Sequence, residues 1–132
     1  MNKANKEFYE AFGKMVFAIA KADGKVHPEE RRKIIQLVKH ELAPFENVAD
    51  EFGTDLAYYA EFSFEACVEF EEDIDGARKH FKKYVEKNRP ILDNELLVTC
   101  KGILEKVADV YEGTNPLEQE IIEEFCDYMG VY

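Results

Sequence analysis

The sequence predicts an all-α fold: a single domain over residues 1–132, built as a bundle of six or seven helices. Three observations carry that expectation. Apolar residues recur at i, i+3, i+4 and i+7 in one segment after another. No segment sustains the period-two alternation of a half-buried strand. Only four prolines and seven glycines interrupt 132 residues, of which 46% are hydrophobic. That is enough apolar material for one real core.

Residues 5–22 read as the first helix, with Phe8, Phe12, Met15, Val16 and Ile19 on one face. Asp23-Gly24 breaks it. Pro28 fits the first position of a second helix, with Ile34, Ile35, Val38 and Leu42 inward, and Pro44 ends it. Residues 45–53 suit a short helical turn closed by Gly53. A third helix is expected from Asp55 to Glu72 with Thr54 as its N-cap. Its apolar residues (Leu56, Tyr59, Phe62 or Phe64, Cys67, Phe70) are too dense to single out a buried face. Asp73-Ile74-Asp75-Gly76 reads as a loop. Residues 76–88 form a basic helix with Ala77, Phe81, Tyr84 and Val85 inward, stopped by Pro90. The next helix, 93–112, is the cleanest: Leu96, Leu97, Cys100, Ile103, Leu104, Val107, Ala108 and Tyr111 keep helical spacing throughout. Gly113-Thr114-Asn115 breaks it. Pro116 opens a last helix, with Leu117, Ile121, Ile122, Phe125 and Met129 inward, and Gly130 ends it.

With 17 basic and 28 acidic residues the net charge is −11. Such a chain repels nucleic acid and anionic lipid, so neither is an expected partner. Cys67, Cys100 and Cys126 have no CxxC spacing and sit among apolar residues. They read as buried, reduced thiols of a cytoplasmic protein. The histidines, His27, His40 and His80, share no local motif with them; His27 and His80 read as solvent-facing. No signal peptide is read in "MNKANKEFYEAF", and no apolar run is long enough to span a membrane. A Gly-rich phosphate loop, a nucleophile motif and HExxH are all missing, and no enzymatic activity is expected. The aromatic stretch "AYYAEFSFEACVEF" could line a pocket, though core packing accounts for most of its rings.

Charge is segregated. Residues 61–75 hold seven carboxylates with no Lys or Arg, and the next helix holds Arg78, Lys79, Lys82, Lys83, Lys87 and Arg89. From Val107 to Tyr132 there is no Lys or Arg at all. Neighbouring helices that complement one another account for this pattern. The functional alternative is an acidic docking surface for an unidentified protein partner with a basic surface.

One pattern occurs twice. "AKADGKVHPEERRKII" (20–35) and "ADVYEGTNPLEQEII" (108–122) share a plan: a helix ending in an acidic residue and Gly, a polar loop, Pro, Glu two residues later, and a double Ile. Asp23 corresponds to Glu112 and Glu30 to Glu118. The second loop is one residue shorter. The echo suggests two related helical hairpins.

Three readings compete for it. A calcium-binding EF-hand loop would place Asp23, Gly24, Val26 and Glu30 correctly, but its first and third ligand positions fall on Ile19 and Lys21, which cannot ligate. Helix capping explains Glu30 and Glu118 as the third helical residues of two capping boxes, with His27 and Asn115 as N-caps. It leaves Asp23 and Glu112 without a role. The third reading is a shared acidic site in which Asp23, Glu30, Glu112 and Glu118 converge on a divalent cation: calcium, magnesium, manganese or zinc.

The run Ala20, Ala22, Asp23, Gly24, Val26, Pro28, Glu30 resembles the motif of TerB-like domains, the tellurite-resistance family that is also similar to the N-terminal region of DjlA co-chaperones. "YEGTNPLEQEII" looks like its second copy, altered at Glu112. The resemblance implies an all-helical, non-enzymatic module linked to stress response. It also implies divalent-cation binding by the acidic motif residues, here Asp23 and Glu30 with Glu112 and Glu118. Residues 43–92 carry no matching motif.

Overall fold

The computed structural model describes residues 6–22, 24–45, 58–88, 92–110 and 115–131. Among them are six α-helices and no strand: α1 (Lys6–Ala22), α2 (Pro28–Leu42), α3 (Tyr58–Glu69), α4 (Ile74–Asn88), α5 (Asn94–Ala108) and α6 (Pro116–Met129). A single 3₁₀ turn, Ala43–Phe45, follows α2. The all-α expectation holds. The proposed Thr54 cap, Leu56, and most of the 45–53 turn lie outside the described residues.

α1 is the axis of the bundle. It packs against α3, α4, α5 and α6. The sequence suggests one apolar face, but eleven of its seventeen residues are buried. Tyr9, Ala11, Gly13, Phe17, Ala18 and Ala20 join the expected Phe8, Phe12, Met15, Val16 and Ile19. The run from Met15 to Ala20 is apolar all round, as a helix surrounded by others must be. Residue pairs fix the directions of its neighbours. Ala22 lies at Asn115 and Phe12 at Phe125, so α6 runs antiparallel to α1. Lys6 lies over Tyr59, and the Ser63 hydroxyl donates to the Glu10 carbonyl at 2.6 Å, so α3 runs in the same sense as α1.

The ambiguity over α3 resolves in favour of its small residues. Ala60, Ser63, Phe64 and Cys67 turn inward, whereas Phe62 and Phe70 face solvent. The reason is a close helix crossing. A Cβ at Gly13 would stand 2.4 Å from the Ala60 carbonyl oxygen and 2.9 Å from the Ser63 Cβ. Only small side chains on α3 let the two backbones approach so closely.

Three boundaries differ from the sequence reading. α3 ends at Glu69 and not at Glu72, because the Glu71 and Glu72 amides turn back onto the Val68 and Cys67 carbonyls. Asp73-Ile74-Asp75-Gly76 is the start of α4, not a loop: the Asp73 carboxylate accepts from the Gly76 amide as an N-cap. α5 stops at Ala108, because the Asp109 and Val110 amides tighten onto carbonyls three residues back. Tyr111 and Glu112 lie outside the described residues. Charged residues complement one another between helices. Arg78 of α4 binds Glu124 at 2.7 Å and Glu120 at 3.3 Å on α6, and Lys106 of α5 meets Glu41 of α2. The three cysteines are free and buried, as expected.

Candidate functional site

The C-terminal end of α1 and the N-terminal end of α6, which flank the two acidic loops, meet at one end of the bundle. α1 closes at Ala22, and the Gly24 amide turns back to the Lys21 carbonyl at 2.8 Å. Gly24 has φ +117, a backbone state that side chains resist, which accounts for glycine there. The second loop ends at Asn115, whose side-chain amide donates to the Ala22 carbonyl at 3.5 Å. That contact joins the N-cap of α6 to the last turn of α1, across 93 positions of sequence. The C-terminal end of α1 and the α5–α6 connection therefore lie on the same side of the molecule, as a shared site requires.

The two loops are built differently. In the second, the Asn115 side chain accepts from the Glu118 amide at 2.8 Å, and the Glu118 carboxylate accepts from the Asn115 amide at 2.7 Å. This is a complete capping box, and Glu118 is wholly buried within it. In the first loop, His27 is the N-cap but its side chain makes no capping bond. Glu30 stands with Oε1 4.0 Å from the Nε2 of His27, and its side chain is 14% exposed. The other oxygen, Oε2, is shielded from solvent and has no hydrogen-bond partner among the described residues. The expectation that Glu30 is fully explained as a capping-box residue therefore fails. An imidazole offers no short acceptor arm to the helix amides, whereas the Asn115 carbonyl does.

Of the four carboxylates in the shared-site reading, the structure describes Glu30 and Glu118; Asp23 and Glu112 lie outside the described residues. Among the described residues, no group of three or more His, Cys, Asp and Glu is arranged to hold a metal. Glu30 fits a cation in one respect: a carboxylate oxygen buried without a partner is costly, and a hard cation would satisfy it. Glu118 has one oxygen committed to its own helix.

A second surface falls within the aromatic stretch that the sequence offers as a pocket lining. Tyr58, Phe62 and Phe70 of the α3 segment are 49%, 55% and 85% exposed. With Ala66, Glu65 and Glu69 of the same helix they border a groove of about 530 Å³, to which α2 contributes Arg31. Their spacing of four and eight was legible, but nothing in the sequence alone separated Phe62 from Phe64. The histidines behave as read: His27 and His80 are exposed. Partial burial and the nearby Lys14 ammonium hold His80 below the ordinary imidazole range.

Compared with family models, curated proteins and solved structures, the chain matches none of them significantly. Among the described residues, no helix is long and apolar enough to cross a membrane.

Proposed function

We propose that the chain is a non-enzymatic binding module of the TerB-like type, linked to stress response, whose two acidic loops hold a divalent cation. The observation that carries this reading is the hydrogen bond from Asn115 to the Ala22 carbonyl, which joins a flank of one acidic loop to a flank of the other. The buried Oε2 of Glu30, without a hydrogen-bond partner among the described residues, supports it. Asp23 and Glu30 would supply oxygens from the first loop, Glu112 and Glu118 from the second. Bound there, the cation would neutralise clustered carboxylates and clamp the loops together.

Calorimetric titration with calcium, magnesium, manganese and zinc tests this directly. Binding by at least one of them is expected, and its loss in Asp23→Ala. A cation at a hundred times its Kd adds about 2.7 kcal/mol of stability, so a chelator should lower the melting temperature of the loaded protein. Heat of binding that is unchanged in Asp23→Ala removes the site.

A second reading is favoured by the complete capping box at Glu118. The chain would then be a protein-interaction scaffold whose acidic motifs only terminate helices. It predicts a melting temperature indifferent to chelator.

A further inference from the structure

We infer that the exposed aromatic stripe of α3 is a docking surface for a basic amphipathic helix of a partner protein. The inference stands apart from the cation reading and uses none of its residues. Tyr58, Phe62, Ala66 and Phe70 recur every four residues, and all four line the groove beside Arg31. They span about 18 Å of helix at 1.5 Å per residue, the length over which a partner helix of three turns makes contact. Three large rings left in water along one helix face, with Ala66 between the second and third, are unusual for a surface with no partner. Helix-in-groove recognition uses such a row of anchors.

The backbone beneath the last anchor is held in place. The Glu72 amide bonds the Cys67 carbonyl at 3.0 Å, and the Glu71 amide bonds the Val68 carbonyl at 3.3 Å. This closes a Schellman turn in which Glu71 takes φ 51, a left-handed state that glycine usually fills. Phe70 is thus carried on an ordered helix end, 85% exposed.

Charge selects the occupant. From His40 to Ala77 the chain has twelve Asp or Glu and not one Lys or Arg. Among the described residues, the one cation lining the groove is Arg31, and it is already held by Glu69 at 2.9 Å and Glu65 at 3.3 Å. Those two carboxylates remain 64% and 44% exposed, so the rim is left with net negative charge. Nucleic acid and anionic lipid are repelled by it. A second copy docked face to face by two-fold symmetry would set these carboxylates against themselves. A helix with an apolar row for the rings and Lys or Arg along its flanks satisfies both features.

The test uses two synthetic amphipathic helices of about five turns, one Leu/Lys and the other its Leu/Glu counterpart. Each is fluorescently labelled and titrated with the full chain. The Lys helix should bind at least about tenfold tighter than the Glu helix, and Phe62→Ala with Phe70→Ala should weaken it by about tenfold or more. Because both rings are exposed, the double variant should keep its melting temperature, and circular dichroism verifies this. Val98→Ala, at another exposed apolar position (52% exposed), should bind like the parent. Equal binding of the two helices, or undiminished binding by the double variant, overturns the inference. So does concentration-dependent dimerisation in sedimentation that Phe70→Ala abolishes, since the occupant would then be a second copy.

Discussion

Glu30 and Glu118 occupy the same position, third in a helix that opens on proline, yet only Glu118 has closed a ring of hydrogen bonds with its N-cap. The difference lies in the cap itself, and it can be exchanged. His27→Asn should supply the missing acceptor and raise stability by about 1 kcal/mol. Asn115→Ala should cost about 1 kcal/mol or more, because it also removes the contact with the Ala22 carbonyl. Urea denaturation midpoints at constant m check both. If His27→Asn leaves the midpoint unmoved, the first loop is constrained by something other than its cap. Much of this was legible in the sequence: the doubled pattern placed both glutamates and named His27 and Asn115 as their N-caps. What was not legible is the fate of the second Glu30 oxygen. That depends on how neighbouring residues shield it, and no local spacing encodes such shielding.

At the scale of the helix, two glycines invite opposite outcomes from one substitution. Gly102 lies inside α5, and a Cβ there meets nothing within 4 Å. Gly102→Ala should therefore stabilise by about 1 kcal/mol, the helix-propensity difference. Gly13 has the same propensity to gain, but its Cβ would stand 2.4 Å from the Ala60 carbonyl oxygen. Overpacking of this kind typically costs about 1–3 kcal/mol. Because a backbone must move, Gly13→Ala should be net destabilising. Thermal unfolding of the two variants side by side distinguishes them; a stabilised Gly13→Ala would mean that α1 and α3 separate easily. The same crossing explains why α3 was the least legible helix. Its apolar residues were too dense for periodicity to choose a face, and Phe62 could not be told from Phe64. The core took the face with Ala60 and Ser63, because contact with Gly13 is limited by size before it is rewarded by area. α5 was legible because its apolar residues, Val98 apart, lie in one stripe, and Cys100, Ile103, Leu104 and Val107 are fully buried.

Over the whole molecule, the deeply buried ionisable groups predict an alkaline limit. Burial, reinforced by the charge that Cys100 would carry, raises Tyr9 from 10.0 to about 12. Burial also raises the Cys100 and Cys67 thiols. Each of these groups is neutral when folded, and each loses its proton more easily when unfolded. Stability is therefore fully present below the unfolded values, near pH 9 for the thiols and 10 for Tyr9. It falls as pH rises through the window between unfolded and folded values, by about 1.4 kcal/mol per pH unit for each group titrating. Tyr9→Phe should flatten the fall between pH 10 and 12, as measured by denaturant midpoints against pH. An unchanged slope would show that the Tyr9 hydroxyl reaches water. The central place of α1 has another consequence, one of time. The ribosome makes α1 before any of the helices that cover it, and α6 follows some hundred residues later. At about 5–20 residues per second, that is of the order of 5–20 s. Throughout that interval Phe8, Phe12, Met15, Phe17 and Ile19 have no completed shelter, so the nascent chain must be soluble on the strength of its acidic segments or be held by a chaperone until its final helix arrives.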